Sequence, residues 1–215
     1  LRAVAGTMGH VAMYIGNGHA AWEAANANLV SRGEKALVLA TGQFGLSWAN
    51  SARAMGIEVE VLDFGKSSPA DMGRIEAALR ADAGHRIKAV LTTHVDTASS
   101  IKTDIPALRA AMDAAGHPAL LFVDGVSSIA CVPFDMAGWG VDIAVAGSQK
   151  GFMLPAGLAI LGVSPKALAA METARLPRTF FDFRDMLKSN AAGGYPYTPA
   201  VGLIAGLARA VGLLE

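Results

Sequence analysis

A chain of 215 residues with 53% hydrophobic and 17% charged residues is long and apolar enough for one sizeable domain with its own core, which excludes a disordered polymer. Eighteen Lys and Arg balance 18 Asp and Glu, with no basic run or RNA-binding signature, so nucleic acid is not an expected partner. One cysteine, Cys131, rules out an intrachain disulfide and a metal cluster. No apolar run approaches the roughly 18 residues of a membrane helix. No membrane association and no metal are expected, and a reducing, cytoplasmic location fits.

In chain order, Leu1 to about Thr7 reads as the end of a helix, and Val11 to Ile15 is a short apolar run. The run breaks at Gly16-Asn17-Gly18-His19 before Ala20-Ala21-Trp22-Glu23, a strong helix opening. A glycine turn entering a helix offers backbone N–H groups and the positive end of the dipole to an anion. By itself the turn is more commonly a simple helix cap. Ala36–Ala40 is a strand leading through Thr41-Gly42-Gln43-Phe44 into a helix that carries Trp48. Glu58–Phe64 is the next strand. Ser68 and Pro69 are placed to cap a helix with apolar Met72, Ile75 and Leu79 on one face.

Lys88–Thr92 is a strand followed by Thr93-His94-Val95-Asp96-Thr97-Ala98-Ser99-Ser100, where His94 is expected to be a hydrogen-bonded supporting residue. Asp104–Ala115 is a capped helix ended by Gly116. Strand, helix, strand is the signature of a mostly parallel sheet with helices on both faces. Cys131, between Ile129, Ala130 and Val132, is expected to be a buried structural thiol. Ala159–Val163 adds a strand and Ser164–Met171 a helix. Aromatics at Phe180, Phe181 and Phe183 precede Gly193-Gly194-Tyr195-Pro196-Tyr197-Thr198-Pro199, and Val201–Glu215 closes as a helix. Both ends read as cut. Residues 1–215 are therefore expected to be one large domain of a longer protein.

The stretch Leu120–Leu154 carries the chemistry. Two apolar strands, Leu120–Val123 and Ile143–Ala146, end in Asp124-Gly125 and Gly147-Ser148-Gln149-Lys150. Ligands gather at the carboxyl ends of strands in open α/β sheets, so Asp124 and Lys150 share one rim. A carboxylate and an amine there suit pyridoxal phosphate, which needs a Schiff-base lysine and an acid facing its pyridinium nitrogen. A helix-capping Asp and a solvated Lys would produce the same spacing.

The segments VDGVSSI and WGVDIAVAGSQKGFMLPAGLAIL resemble the core of the class V aminotransferases, a branch of the fold-type I pyridoxal phosphate enzymes. Within it they are most similar to the serine–, alanine– and aspartate–glyoxylate aminotransferase group. The resemblance extends over nearly all of the chain. It implies the large domain of that fold, a mixed, mostly parallel sheet, with an N-terminal segment and a C-terminal small domain outside residues 1–215. It also implies a homodimer that moves an amino group from serine, alanine or aspartate to glyoxylate, giving glycine.

By the same resemblance Lys150 is the Schiff-base and proton-transfer residue, and its expected burial favours the unprotonated amine. Asp124 faces the pyridine nitrogen, and Phe44, rather than Trp48, stacks on the ring. Thr97 faces the phenolic oxygen. Gly18, His19, Ser148 and Gln149 bind phosphate. Tyr195 and Thr198 match a Tyr-x-x-Thr that reaches the partner's cofactor phosphate. The sequence departs from the group at Asn17, where Ser or Thr is usual, and at Ala98-Ser99-Ser100, where Ser-Thr-Gly is usual. An arginine for the substrate carboxylate is required. Arg53, Arg175, Arg178 and Arg184 lack a matching context, and the group places that residue in the C-terminal domain. Another class V enzyme, a different transaminase or a lyase, and a cofactor-free α/β binding domain are the alternatives. The second lacks a G-x-G-x-x-G after a strand.

Overall fold

In the computed structural model, which describes residues 1–7 and 9–214, the chain runs α1 (Arg2–Ala5), β1 (His10–Gly16), α2 (Gly18–Leu29), β2 (Lys35–Ala40), α3 (Gln43–Ala54) and β3 (Glu58–Asp63). It continues through α4 (Met72–Ala81), β4 (Ile87–Thr93), β5 (Val95–Asp96), β6 (Ile101–Lys102), α5 (Ile105–Ala114), β7 (Leu120–Asp124) and β8 (Ile143–Gly147). The last elements are β9 (Gly157–Val163), α6 (Pro165–Met171), α7 (Phe183–Ala191) and α8 (Val201–Leu214).

Seven strands form one sheet in the order β1-β9-β8-β7-β4-β2-β3, while β5 and β6 make a separate two-stranded ribbon. Only β9 runs against its neighbours; the pairs β2/β3, β2/β4, β4/β7 and β7/β8 are parallel. The mixed, mostly parallel sheet is as expected. Both faces are covered, which is why the central strands read as continuous apolar runs. Val38, Leu91, Phe122 and Val145 point to the layer holding Trp22 of α2 and Trp48 of α3, with α6 and α7 beside them. Leu37, Leu39, Val90, Leu121 and Val123 point to the opposite layer of α4, α5 and α8.

The helix starts follow side-chain capping. Asp104 accepts from Ala107 N at 2.9 Å, and Ser164 accepts from Ala167 N at 3.0 Å. The start expected at Ser68-Pro69 is corrected. α4 begins at Met72, because the Asp71 carboxylate, nearer the apolar stripe, takes Arg74 N at 3.1 Å. Cys131 is also corrected: its thiol is exposed, since residues 131–133 leave the sheet layer for the surface. Among the described residues no helix is long and apolar enough to cross a membrane.

Candidate active site

Because β1, β2, β4, β7 and β8 point the same way, their carboxyl ends meet on one rim. There a cavity of about 310 Å3 is lined by residues that follow each of those strands. β1 contributes Asn17, Gly18 and His19; β2 contributes Phe44; β4 contributes Val95 and Thr97. β7 contributes Asp124, Val126 and Ser127, and β8 contributes Gln149 and Lys150. Seven of the ten expected residues thus share one space: Gly18, His19, Phe44, Thr97, Asp124, Gln149 and Lys150.

Asp124 is the buried pole of the site. It is 5% exposed; its Oδ2 accepts from Trp22 Nε1 at 2.9 Å, and its Oδ1 accepts from Val126 N at 2.7 Å. No cationic side chain among the described residues pairs with it. Burial therefore pushes the carboxyl up to about 6, with nearby Asp96 adding to the rise. The two hydrogen bonds and the Lys150 charge oppose it. Trp22 is held by near-parallel stacking on Trp48 at 5.5 Å and by His19 at 4.4 Å. Phe44 stands 6.5 Å from both Trp22 and His19.

Lys150 is exposed rather than buried, which corrects one expectation. Its turn is anchored by Met153 N to Lys150 O at 2.8 Å and Leu154 N to Ser148 O at 3.1 Å. Gly151 is required there. A Cβ would lie 2.3 Å from Ile129 O, so only glycine lets the lysine turn pack against the segment after β7. Gly18 is pressed in the same way against Val126, 2.7 Å from a Cβ.

Three expected phosphate or cofactor contacts lie elsewhere. Ser148 is fully buried outside the cavity lining. Its hydroxyl donates to Pro155 O at 2.7 Å and accepts from Leu158 N at 3.1 Å, joining β8's end to β9. Tyr195 and Thr198 line a separate crevice of about 20 Å3 against Tyr14 of β1. The open amides expected after Gly18 are also corrected: the Asn17 carboxamide accepts from His19 N at 3.0 Å and Ala20 N at 3.3 Å. Gln149 keeps a buried Oε1 with no partner beside the cavity.

His94 is a supporting residue, as expected. It is 3% exposed, hydrogen-bonded through Nδ1 to Ser128 Oγ at 2.9 Å, and packed on Phe134 and Trp139. Burial, helped by Lys102, lowers it to about 4, so it is neutral at pH 7. Trp48 is fully buried packing and does not line the cavity, whereas Phe44 does, together with the rings of Trp22 and His19. The guanidinium groups of Arg53, Arg175, Arg178 and Arg184 donate to Asn50, Glu172, Ala27 and Asp182 respectively, away from the cavity. Trp22 and Asp96 were missed as site residues. An aromatic in a helix opening and an Asp at the end of a two-residue strand carry no local sign of the long-range partners they meet.

A family model described as "Aminotransferase class-V" matches residues 12–215. The L-aspartate–glyoxylate aminotransferase of Paracoccus denitrificans is 55% identical over 203 residues, 94% of this chain and 51% of that protein. The serine–glyoxylate aminotransferase of Methylorubrum extorquens is 46% identical over 213 residues, 97% of this chain and 53% of that protein. The crystal structure of an alanine–glyoxylate aminotransferase from Nostoc sp. superposes with a TM-score of 0.90 at 26% identity, covering 99% of this chain and 56% of that one. The chain spans about half the length of the curated relatives it matches.

Proposed function

Since the chain belongs to the class V aminotransferase family, we propose that it carries the pyridoxal phosphate site of an enzyme moving an amino group from serine, alanine or aspartate to glyoxylate, giving glycine. One observation carries this most: a buried carboxylate, Asp124, and an amine, Lys150, neither of them in a salt bridge among the described residues, open on the same cavity. The donor set fits the family's cofactor. A protonated pyridine nitrogen would supply the positive charge that Asp124 lacks, and the Phe44 ring gives an aromatic surface to lie against.

When bound, the cofactor supplies an electron sink for the carbanion left when a substrate Cα loses its proton. Lys150 Nζ would hold the cofactor and, once displaced by the donor's amine, take and return the Cα proton as base and acid. Asp124, kept in place by Trp22 and Val126, keeps the ring nitrogen protonated. Phe44 sets the ring plane and hence which bond at Cα is aligned to break. Thr97 would face the phenolic oxygen, and Gly18, His19 and Gln149 would hold the phosphate. Ser148 supports them by fixing the backbone beneath Gln149 and Lys150.

The half-length overlap with the relatives supports residues 1–215 as the cofactor-binding large domain, with the carboxylate-binding arginine supplied from another part of the protein. The same account makes the protein a cytoplasmic homodimer in which Tyr195 and Thr198 serve the partner's phosphate. Their position away from Lys150 within one chain supports that assignment. The test is to give the full-length protein glyoxylate with serine, alanine or aspartate in turn and follow glycine. At least one donor should yield glycine in proportion to donor consumed; none doing so contradicts the assignment.

A further inference from the structure

Asp96 sits between the two segments that bring Phe44 and Thr97 to the cavity. Its side chain is fully buried. Oδ2 accepts from Phe44 N at 2.9 Å and Gly45 N at 3.1 Å, and Oδ1 accepts from Ala98 N at 3.0 Å. Its own carbonyl accepts from Ser100 N at 2.8 Å, closing the turn that carries Thr97. The N-cap position of α3 is Gly42, which has no side chain to cap with. The helix therefore takes its cap from the rim after β4, 52 residues along the chain. Gly42 makes this possible: a Cβ there would lie 2.4 Å from the Asp96 carboxylate carbon.

A buried carboxylate is costly unless its oxygens are filled. Here three backbone N–H groups and the positive end of α3 fill them. The consequence is mechanical. The backbone of Phe44 and the turn of Thr97 are two loops from two strands, yet one side chain joins them. The same contacts occupy the first amides of α3 with a carboxylate, which turns an anion away from that helix end.

We propose that Asp96 is a positioning residue for pyridoxal phosphate, locking the Phe44 ring and the Thr97 turn into one unit against the cofactor ring. This rests on the cofactor assignment of the cavity. The test measures pyridoxal phosphate affinity, and the circular dichroism induced in the bound cofactor's visible band, for wild type, Asp96→Asn, Phe44→Ala and the double variant. Asp96→Asn should weaken binding by about tenfold to a hundredfold and reduce the induced band. The double variant should bind more tightly than the product of the two single losses predicts, because the part of the Asp96 effect that acts through Phe44 is already lost in Phe44→Ala. Wild-type affinity and band in folded Asp96→Asn, or losses that simply multiply, would overturn it. Gly42→Ala presses the carboxylate off the Phe44 amide while keeping its charge, and decides the matter if Asp96→Asn does not fold. The same loss, again not multiplying with Phe44→Ala, is expected, and unchanged affinity overturns the role. A wild-type protein that cannot be fixed to the cofactor by borohydride sinks the cofactor assignment and this role together. A fixed wild type with indifferent Asp96 and Gly42 variants sinks this role alone.

Discussion

Asp124 combines a buried carboxylate with neutral N–H donors from Trp22 and Val126, and this makes its proton behaviour a usable signal. Its folded carboxyl is raised to about 6 from 3.8, with burial as the main cause. Between those values the folded state keeps a proton that the unfolded chain has lost. Stability of the cofactor-free protein therefore falls as pH rises from about 4 through 6. Compared with Asp124→Asn, wild type should lose up to about 3 kcal/mol over that window in urea unfolding. Parallel profiles for the two proteins would contradict this. Asp124 and Lys150 were legible as rim residues because Asp124 ends one apolar strand and Lys150 stands in the turn after the next. Trp22 was not, since its role depends on a hydrogen bond to a residue 102 positions away. Ser148 was misassigned because its neighbours in sequence face the cavity while its hydroxyl turns back to β9.

At the scale of elements, β7 and β8 lie side by side in parallel, so their ends deliver the acid and the amine to one place. Alternation was hidden in these strands, because both faces are covered. Their length and flanking polar residues were enough to locate them. The start of α4 was less legible, since Ser68 and Asp71 both satisfy the capping rule and only the tertiary packing of Met72, Ile75 and Leu79 selects the second. The turn after β8 is held by contact with the segment after β7, and Gly151 is its tightest point. Gly151→Ala should cost about 1–3 kcal/mol of stability, because the nearest atoms are backbone and cannot swing aside. It should also slow attachment of cofactor to the adjacent Lys150. Unfolding in urea checks the first, and the rate of growth of the cofactor's visible band checks the second.

For the whole molecule, the cavity gathers residues from five strands, but Tyr195 and Thr198 stay on a different part of the chain. Pairing two copies resolves this if each supplies those residues to the other. Mixed dimers of Lys150→Ala with a Tyr195→Phe, Thr198→Ala chain then contain one site with every residue intact. Such mixtures should regain activity that neither parent dimer shows at limiting cofactor; a mixture no better than its parents would place these residues within their own site or outside both. All of this depends on Lys150 being the residue that holds the cofactor. The most direct measurement is borohydride reduction of the full-length protein with pyridoxal phosphate, followed by peptide mapping, beside Lys150→Ala. The account predicts one stable adduct, on the peptide containing Ser148-Gln149-Lys150, in wild type only. An adduct on another lysine, or equal labelling of the variant, would contradict it.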